Sequence, residues 1–163
     1  MKIYCVVLML LLSSCTTTYY YVVRHAERKD NSSDSPLSAE GFERANVLKD
    51  SLANKGINLI LASNYIRTQQ TVKPLADDLK KPVVIYDANH TDSLLNALKQ
   101  MKGKHVVVVG HSDTVPEIVT SLSGETVASI THTDFDNLYI IKVTKGIFGS
   151  RHLWRTTYGR TTE

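Results

Sequence analysis

Short runs of aromatic and β-branched residues alternate along the chain with longer segments whose apolar residues recur at helical spacing. Tyr19 to Val23 ("YYYVV") is the first such run, followed by Ile57 to Ser63 ("INLILAS"), Pro82 to Tyr86 ("PVVIY") and His105 to Gly110 ("HVVVVG"). Each reads as a strand. The fourth is apolar at successive positions, so both of its faces are expected to be covered at the centre of a sheet. Between the strands, Phe42, Ala45, Leu48 and Leu52 predict a first helix, with Ser38 as its cap and Gly56 at its end. Ile66, Val72, Leu75 and Leu79 predict a second helix over 65–79, which Pro74 is expected to bend or shorten. Leu94, Leu95, Leu98 and Met101 mark a third, closed by Gly103, and a fourth is expected over 114–122. Two last strands are expected near 138–143 and 153–158, with Gly146 and Gly149 in the turn of an antiparallel pair.

Strands alternating with helices imply the α/β class: a three-layer α/β/α sandwich around a mostly parallel central sheet. The 163 residues, 42% of them apolar, suffice for one domain with a proper core. We find no internal repeat and no low-complexity stretch.

The first fifteen residues break this pattern. Lys2 precedes an apolar stretch, Ile3 to Leu12, that runs into "LSSC", ending at Cys15. A positive start, a short apolar region and small residues describe an export signal. The stretch is about half the roughly 20 residues that a membrane-spanning helix needs. "LSSC" resembles the bacterial lipobox, which implies lipidation of Cys15; the alternative is an ordinary secretory signal with an incidental cysteine. The expected organisation is therefore a lipoprotein signal over 1–15, a short polar tether over 16–18 and a single domain over 19–163. The expected location is outside the cytoplasm, anchored to a membrane through lipid. Thr16, standing where an aspartate would follow the cysteine, favours the outer membrane by resemblance to lipoprotein sorting signals.

Charge and cysteine content narrow the chemistry. A formal net charge of +3 with acids and bases interspersed gives no basic stripe for nucleic acid. The only cysteines are Cys5 and Cys15. With the signal removed, neither thiol catalysis nor a cysteine-ligated zinc site is available.

Ligands in such folds bind outside the carboxyl ends of the strands. The first predicted strand ends in Arg24-His25. The second ends in Ala62-Ser63, with Arg67 about a helical turn beyond, and the fourth ends in Gly110-His111-Ser112. Two guanidiniums and two imidazoles converging there would suit a dianion such as phosphate, aided by the start of the following helix. Taken singly, each histidine reads more readily as a structural hydrogen-bonder and each arginine as a solvated charge.

The ordered segments "VVRHAE", "LSAEGFERA", "ASNYIRTQQT" and "VVVVGHSDTVPEIV" resemble the histidine phosphatase, or phosphoglycerate-mutase-like, superfamily over Val22 to about Gly124. The compact length is similar to the small phosphohistidine phosphatases. The resemblance implies that His25 is the nucleophile that becomes phosphohistidine. Arg24 and Arg67 would bind phosphate, and His111 would complete the pocket. It implies no metal and no cofactor, and a phosphorylated small molecule or phosphoprotein as substrate. The leaving-group acid stays open: Asp92, in "YDANHTDSLL", is the nearest match, but it also suits a helix N-cap, and Asp113 and Glu27 are alternatives. "HAERK" lacks the glycine and threonine that follow the histidine in mutases, which counts against mutase activity. Arg28 and Lys29 are read either as substrate contacts or as part of a solvated loop. His90, His105, His132 and His152 are given structural or surface roles. The alternative to an enzyme is a non-catalytic phosphate-binding or scaffold lipoprotein of the envelope.

Overall fold

The computed structural model describes residues 15–162; all of the expected signal over 1–15 except Cys15 lies outside the described residues. The elements run β1 (Thr16–Arg24), α1 (Ala39–Leu52), β2 (Leu59–Ser63), α2 (Ile66–Asp78), β3 (Val83–Tyr86), α3 (Thr91–Gln100), β4 (His105–Gly110), α4 (Thr114–Ser123), β5 (Asn137–Lys145) and β6 (Ser150–Thr157). They form one six-stranded sheet in the order β3-β2-β4-β1-β5-β6. The first four strands are mutually parallel, while β5 and β6 are antiparallel. This is the expected α/β sandwich, with the apolar β4 inside the sheet between β2 and β1.

Strand alternation builds two cores. Tyr20 and Val22 of β1 join Val106 and Val108 of β4 under α3 and α4, through Leu94, Leu98, Ile118 and Leu122. Tyr21 and Val23 join Val107 and Val109 under α1 and α2, through Leu48, Leu52, Val72 and Leu75. Leu48 and Leu75 are fully buried, each contributing roughly 1.5–3 kcal/mol by removal from water.

Two local expectations change. Thr16–Thr18 are not a tether: they extend β1 and pair with Val143–Lys145 of β5, as β-branched residues beside a long partner strand readily do. Phe42 and Ile66 point outward and are exposed. On α1 the inward positions are taken instead by Gly41 and Arg44, because an added Cβ at Gly41 would lie 2.3 Å from the Glu27 carbonyl oxygen. Pro74 sits within α2 without ending it. Among the described residues, no helix is long and apolar enough to cross a membrane.

Candidate active site

Strand register decides which residues meet. Arg24 lies opposite Gly110 across the parallel β1–β4 pair, and Ala62 lies opposite Val109 across β2–β4. Arg24-His25, Ser63 and Gly110-His111 therefore leave the sheet side by side at its carboxyl edge. The backbone N–H of His25 donates to the Gly110 carbonyl, carrying the ladder one residue past β1. Gly110 allows the close approach: an added Cβ would lie 2.7 Å from Thr114 Oγ1 and 3.2 Å from the Tyr86 hydroxyl.

A cleft of about 280 Å³ opens at this edge, lined by Arg24, His25, Arg28, Arg67, His111 and Asp113 among others. His25 is buried, and its Nδ1 lies 2.8 Å from the Ala26 carbonyl. A carbonyl only accepts, so Nδ1 carries the proton, and the neutral ring keeps a lone pair on Nε2. Burial above all, with Arg24, His111 and Arg67 nearby, pushes the His25 pKa down to about 2, so the ring is neutral at physiological pH. The Ala26 peptide is itself fixed: its N–H donates to Thr71 Oγ1, whose hydroxyl donates to the Arg67 carbonyl.

His111 is also locked. Arg67 Nη2 donates to its Nδ1 at 3.3 Å, and its Nε2–H donates to Ser63 Oγ at 2.8 Å. Ser63 is in turn bonded to Thr68 Oγ1, and Thr68 donates to the Tyr65 carbonyl. Burial, and then the charge of Arg67, lowers the His111 pKa to about 4. The two imidazoles stand edge to face, 5.4 Å between centroids.

Both arginines are buried without a carboxylate partner among the described residues. Arg24 donates through Nη1 to the Thr131 and Asp134 carbonyls and stacks on Phe135. Arg67 donates to the Ser33 carbonyl and stacks on Tyr65. The Nε of each is buried with no partner among the described residues. Burial lowers the Arg24 pKa to about 10 and the Arg67 pKa in the same direction, which leaves Arg24 cationic near neutrality. Ser112, Asp113 and Thr114 bring the start of α4 to the cleft, but its first N–H groups are engaged: Thr114 N donates to Asp113 and Val115 N to the His111 carbonyl, and Pro116 has none.

Five of the expected residues are thus placed as follows: Arg24, His25, Arg67 and His111 come together, and Cys15 is exposed at the start of β1. The acid candidates separate. Asp92 does not line the cleft; it is exposed in the first turn of α3, and the N-cap position belongs to His90. The reason is the turn before it. Asp87 accepts from Asn89 N and from His90 Nδ1, so the helix begins earlier than a cap at 92 requires. Glu27 faces the other way, in an ion pair with Arg44. Asp113 lines the cleft and accepts from Thr114 N at the start of α4. Arg28 lines it too, whereas Lys29 is exposed beyond it. The loop after Lys29 is docked rather than free, since Asp34 accepts from Ile66 N and thereby caps α2. His132, given a structural or surface role above, lies on the cleft wall in the α4–β5 loop. The antiparallel turn of β5, which starts that strand at the carboxyl edge, was the available signal.

A profile of the histidine phosphatase superfamily (branch 1) matches residues 20–90. Over these residues, which are under half of the chain, it is similar to that superfamily. Sequences named "Probable phosphoglycerate mutase GpmB" from Yersinia pestis and Yersinia pseudotuberculosis are 41% identical over 62 residues, covering 34% of this chain and 29% of theirs. The chain thus matches under a third of the length of these relatives. Among solved structures, the protein histidine phosphatase SixA complexed with tungstate superposes with a TM-score of 0.62 at 22% identity, covering 85% of this chain and 96% of that one. A mycobacterial hydrolase gives 0.72 at 12%, covering 90% and 94%. The phosphoserine phosphatase of Entamoeba histolytica, in complex with 3-phosphoglyceric acid, gives 0.59 at 16%, covering 88% and 98%. The fold is phosphoglycerate-mutase-like.

Proposed function

We propose that the chain is a metal-independent phosphatase that hydrolyses a phosphomonoester, or a phosphorylated protein group, through phosphohistidine on His25. One observation carries this reading: a neutral imidazole with Nε2 free lies between two buried arginines that have no carboxylate partner. Buried cations without anions are costly, and a bound phosphate would supply the missing charge. The SixA neighbour, whose structure is a complex with tungstate, supports the binding of an oxyanion by this fold.

In this mechanism Nε2 attacks phosphorus, the P–N bond forms and the bond to the leaving oxygen breaks. Arg24 and Arg67 hold the non-bridging oxygens as charge moves across them, and His111, its two nitrogens engaged by Arg67 and Ser63, completes the pocket wall and fixes Arg67. We assign to Asp113, the carboxylate that lines the cleft, the proton handed to the leaving oxygen and then taken back from the water that attacks phosphohistidine. That water cleaves the P–N bond, releasing phosphate and restoring the neutral ring. Arg28, at the outer wall, contacts the part of the substrate beyond the phosphate.

The test is turnover of an aryl phosphate by the purified protein, with and without EDTA, beside His25→Ala. EDTA-resistant turnover lost in the variant supports the enzyme. Phosphate binding without turnover of any monoester leaves the scaffold lipoprotein. Loss in EDTA contradicts the metal-free route. We further propose that Cys15 carries a lipid that holds the domain at a membrane outside the cytoplasm. Metabolic labelling with a fatty acid tests it, and label persisting in Cys15→Ser counts against it.

A further inference from the structure

The end of the sheet opposite the cleft has a different character. β1 and β5 run on past the parallel strands: Thr16–Thr18 pair with Val143–Lys145, while the β1–β4 pairing begins only at Tyr19 and His105. The β5–β6 turn, "KGIFGS" over 145–150, is thereby held out beyond the lower edge. At its tip Ile147 is 79% exposed and Phe148 91% exposed, the highest values among the large apolar side chains. Hairpin turns favour small and polar residues, so neither side chain is explained by the turn, and neither touches the core.

Two further observations say what meets this tip. Cys15 lies against it: an added Cβ at Gly146, whose φ is 155°, would stand 3.4 Å from Cys15 Sγ. A lipid carried by Cys15, as proposed above, would therefore be held beside this tip. Around the tip stand Lys99, Lys102, Lys104, Lys145 and Arg151. Lys145 donates to the Lys99 carbonyl at the end of α3. Lys102 and Lys104 flank Gly103, whose N–H donates to Thr18. Arg151 lies beside Gly124 at the end of α4. Among the described residues none of the five is in an ion pair.

We propose that this tip docks directly on an anionic lipid bilayer. Ile147 and Phe148 enter the interfacial layer, and the five cations rest on the headgroups. An aromatic and an aliphatic side chain ringed by lysine and arginine is the chemistry of interfacial membrane binding. A lipid on Cys15 would tether the domain at one point without orienting it, so a second contact beside that point has a clear physical use. Docking also sets orientation. β1 spans roughly 26 Å from Thr16 to Arg24, so the cleft opens away from the bilayer towards soluble substrates. The proposal does not depend on what the cleft does.

The experiment moves the single tryptophan. The full chain carrying Trp154→Phe and Phe148→Trp is bound to vesicles of phosphatidylethanolamine and phosphatidylglycerol, with and without bromine on the acyl chains. Trp154 of the unaltered chain is the control, since it pairs with Ile140 in mid-strand, well back from the tip. The expected result is loss of most emission at position 148 with brominated lipid, and little loss from Trp154. The double variant Ile147→Asp, Phe148→Asp should dissociate from the vesicles at markedly lower salt, with its circular dichroism unchanged. Equal quenching at both positions, or none at 148 in vesicle-bound protein, overturns the proposal. So does a blue-shifted, unquenched reporter before vesicles are added, which would mean that residues 3–12 or a second copy cover the tip.

Discussion

Two clusters of buried charge sit a few residues apart in sequence and answer opposite needs. Arg44 is enclosed, and its guanidinium is satisfied: Nε and Nη2 donate to the Glu27 carboxylate, Nη1 to the Tyr158 carbonyl and Nη2 also to the Arg160 carbonyl. Arg24 and Arg67 are equally enclosed, yet they meet only neutral carbonyls, an imidazole and aromatic faces, and each keeps an orphaned Nε. The first cluster is complete and ties the segment after His25 to α1 and the chain's end. The second lacks an anion. In a buried site, the missing counter-charge separates a binding arginine from a structural one more clearly than burial does.

The sharpest way to break this contrast is at the nucleophile. His25→Ala should lower turnover of an aryl phosphate by at least about 10³-fold, because no other group forms the covalent intermediate. Next come the arginines. Arg67→Ala should lower kcat/KM by about 10²–10³-fold through lost charge stabilisation, without loss of thermal stability, since it removes an uncompensated buried charge. Arg44→Ala should do the reverse. It should cost about 3–5 kcal/mol of stability by stranding Glu27, measured by denaturant unfolding, with near-normal kinetics in the protein that remains folded. If Arg67→Ala unfolds the domain while Arg44→Ala spares it, the contrast fails.

Asp113→Asn should lower turnover of alkyl phosphates by about 10²-fold and of aryl phosphates far less, because only the poor leaving group needs the proton. Asparagine caps a helix about as well as aspartate, so α4 should be unaffected. The smallest effect concerns acid. His25 and His111 have folded-state pKa values below the 6.5 of an unperturbed imidazole, about 2 and about 4. The unfolded chain therefore binds more protons between those values, and stability present above pH 6.5 is lost as pH falls towards 4. The melting temperature should drop by a few degrees over that interval, and by less in His111→Gln. An unchanged melting temperature from pH 6.5 to pH 4 would contradict the buried neutral histidines.

How much of this was legible in the sequence follows from what each residue depends on. The four cleft residues were readable because strand ends in a parallel sheet share one edge, and the run lengths before Arg24, Ser63 and Gly110 set that edge. The split among carboxylates was not, because it turns on single hydrogen bonds: Asp87 starts α3 early and leaves Asp92 outside, while Glu27 is claimed by Arg44 across the α1 interface. Phe42 and Ile66 misled for a related reason. Helical spacing marks an apolar stripe without saying that a close-packed Gly41 and a paired Arg44 will take the inner face. Thr16–Thr18 read as polar spacer because strand extension there depends on β5, more than a hundred residues away. His132 and the Ile147–Phe148 tip needed the topology before either had a neighbourhood.

The most direct measurement is the chemical state of His25 during turnover. Rapid quenching of the protein with a labelled phosphomonoester should trap phosphate that is lost in acid, kept in alkali, located on His25 by peptide mapping, and absent from His25→Ala. Steady turnover with no trapped phosphohistidine on a pre-steady-state timescale, or label that persists in the variant, would contradict the account.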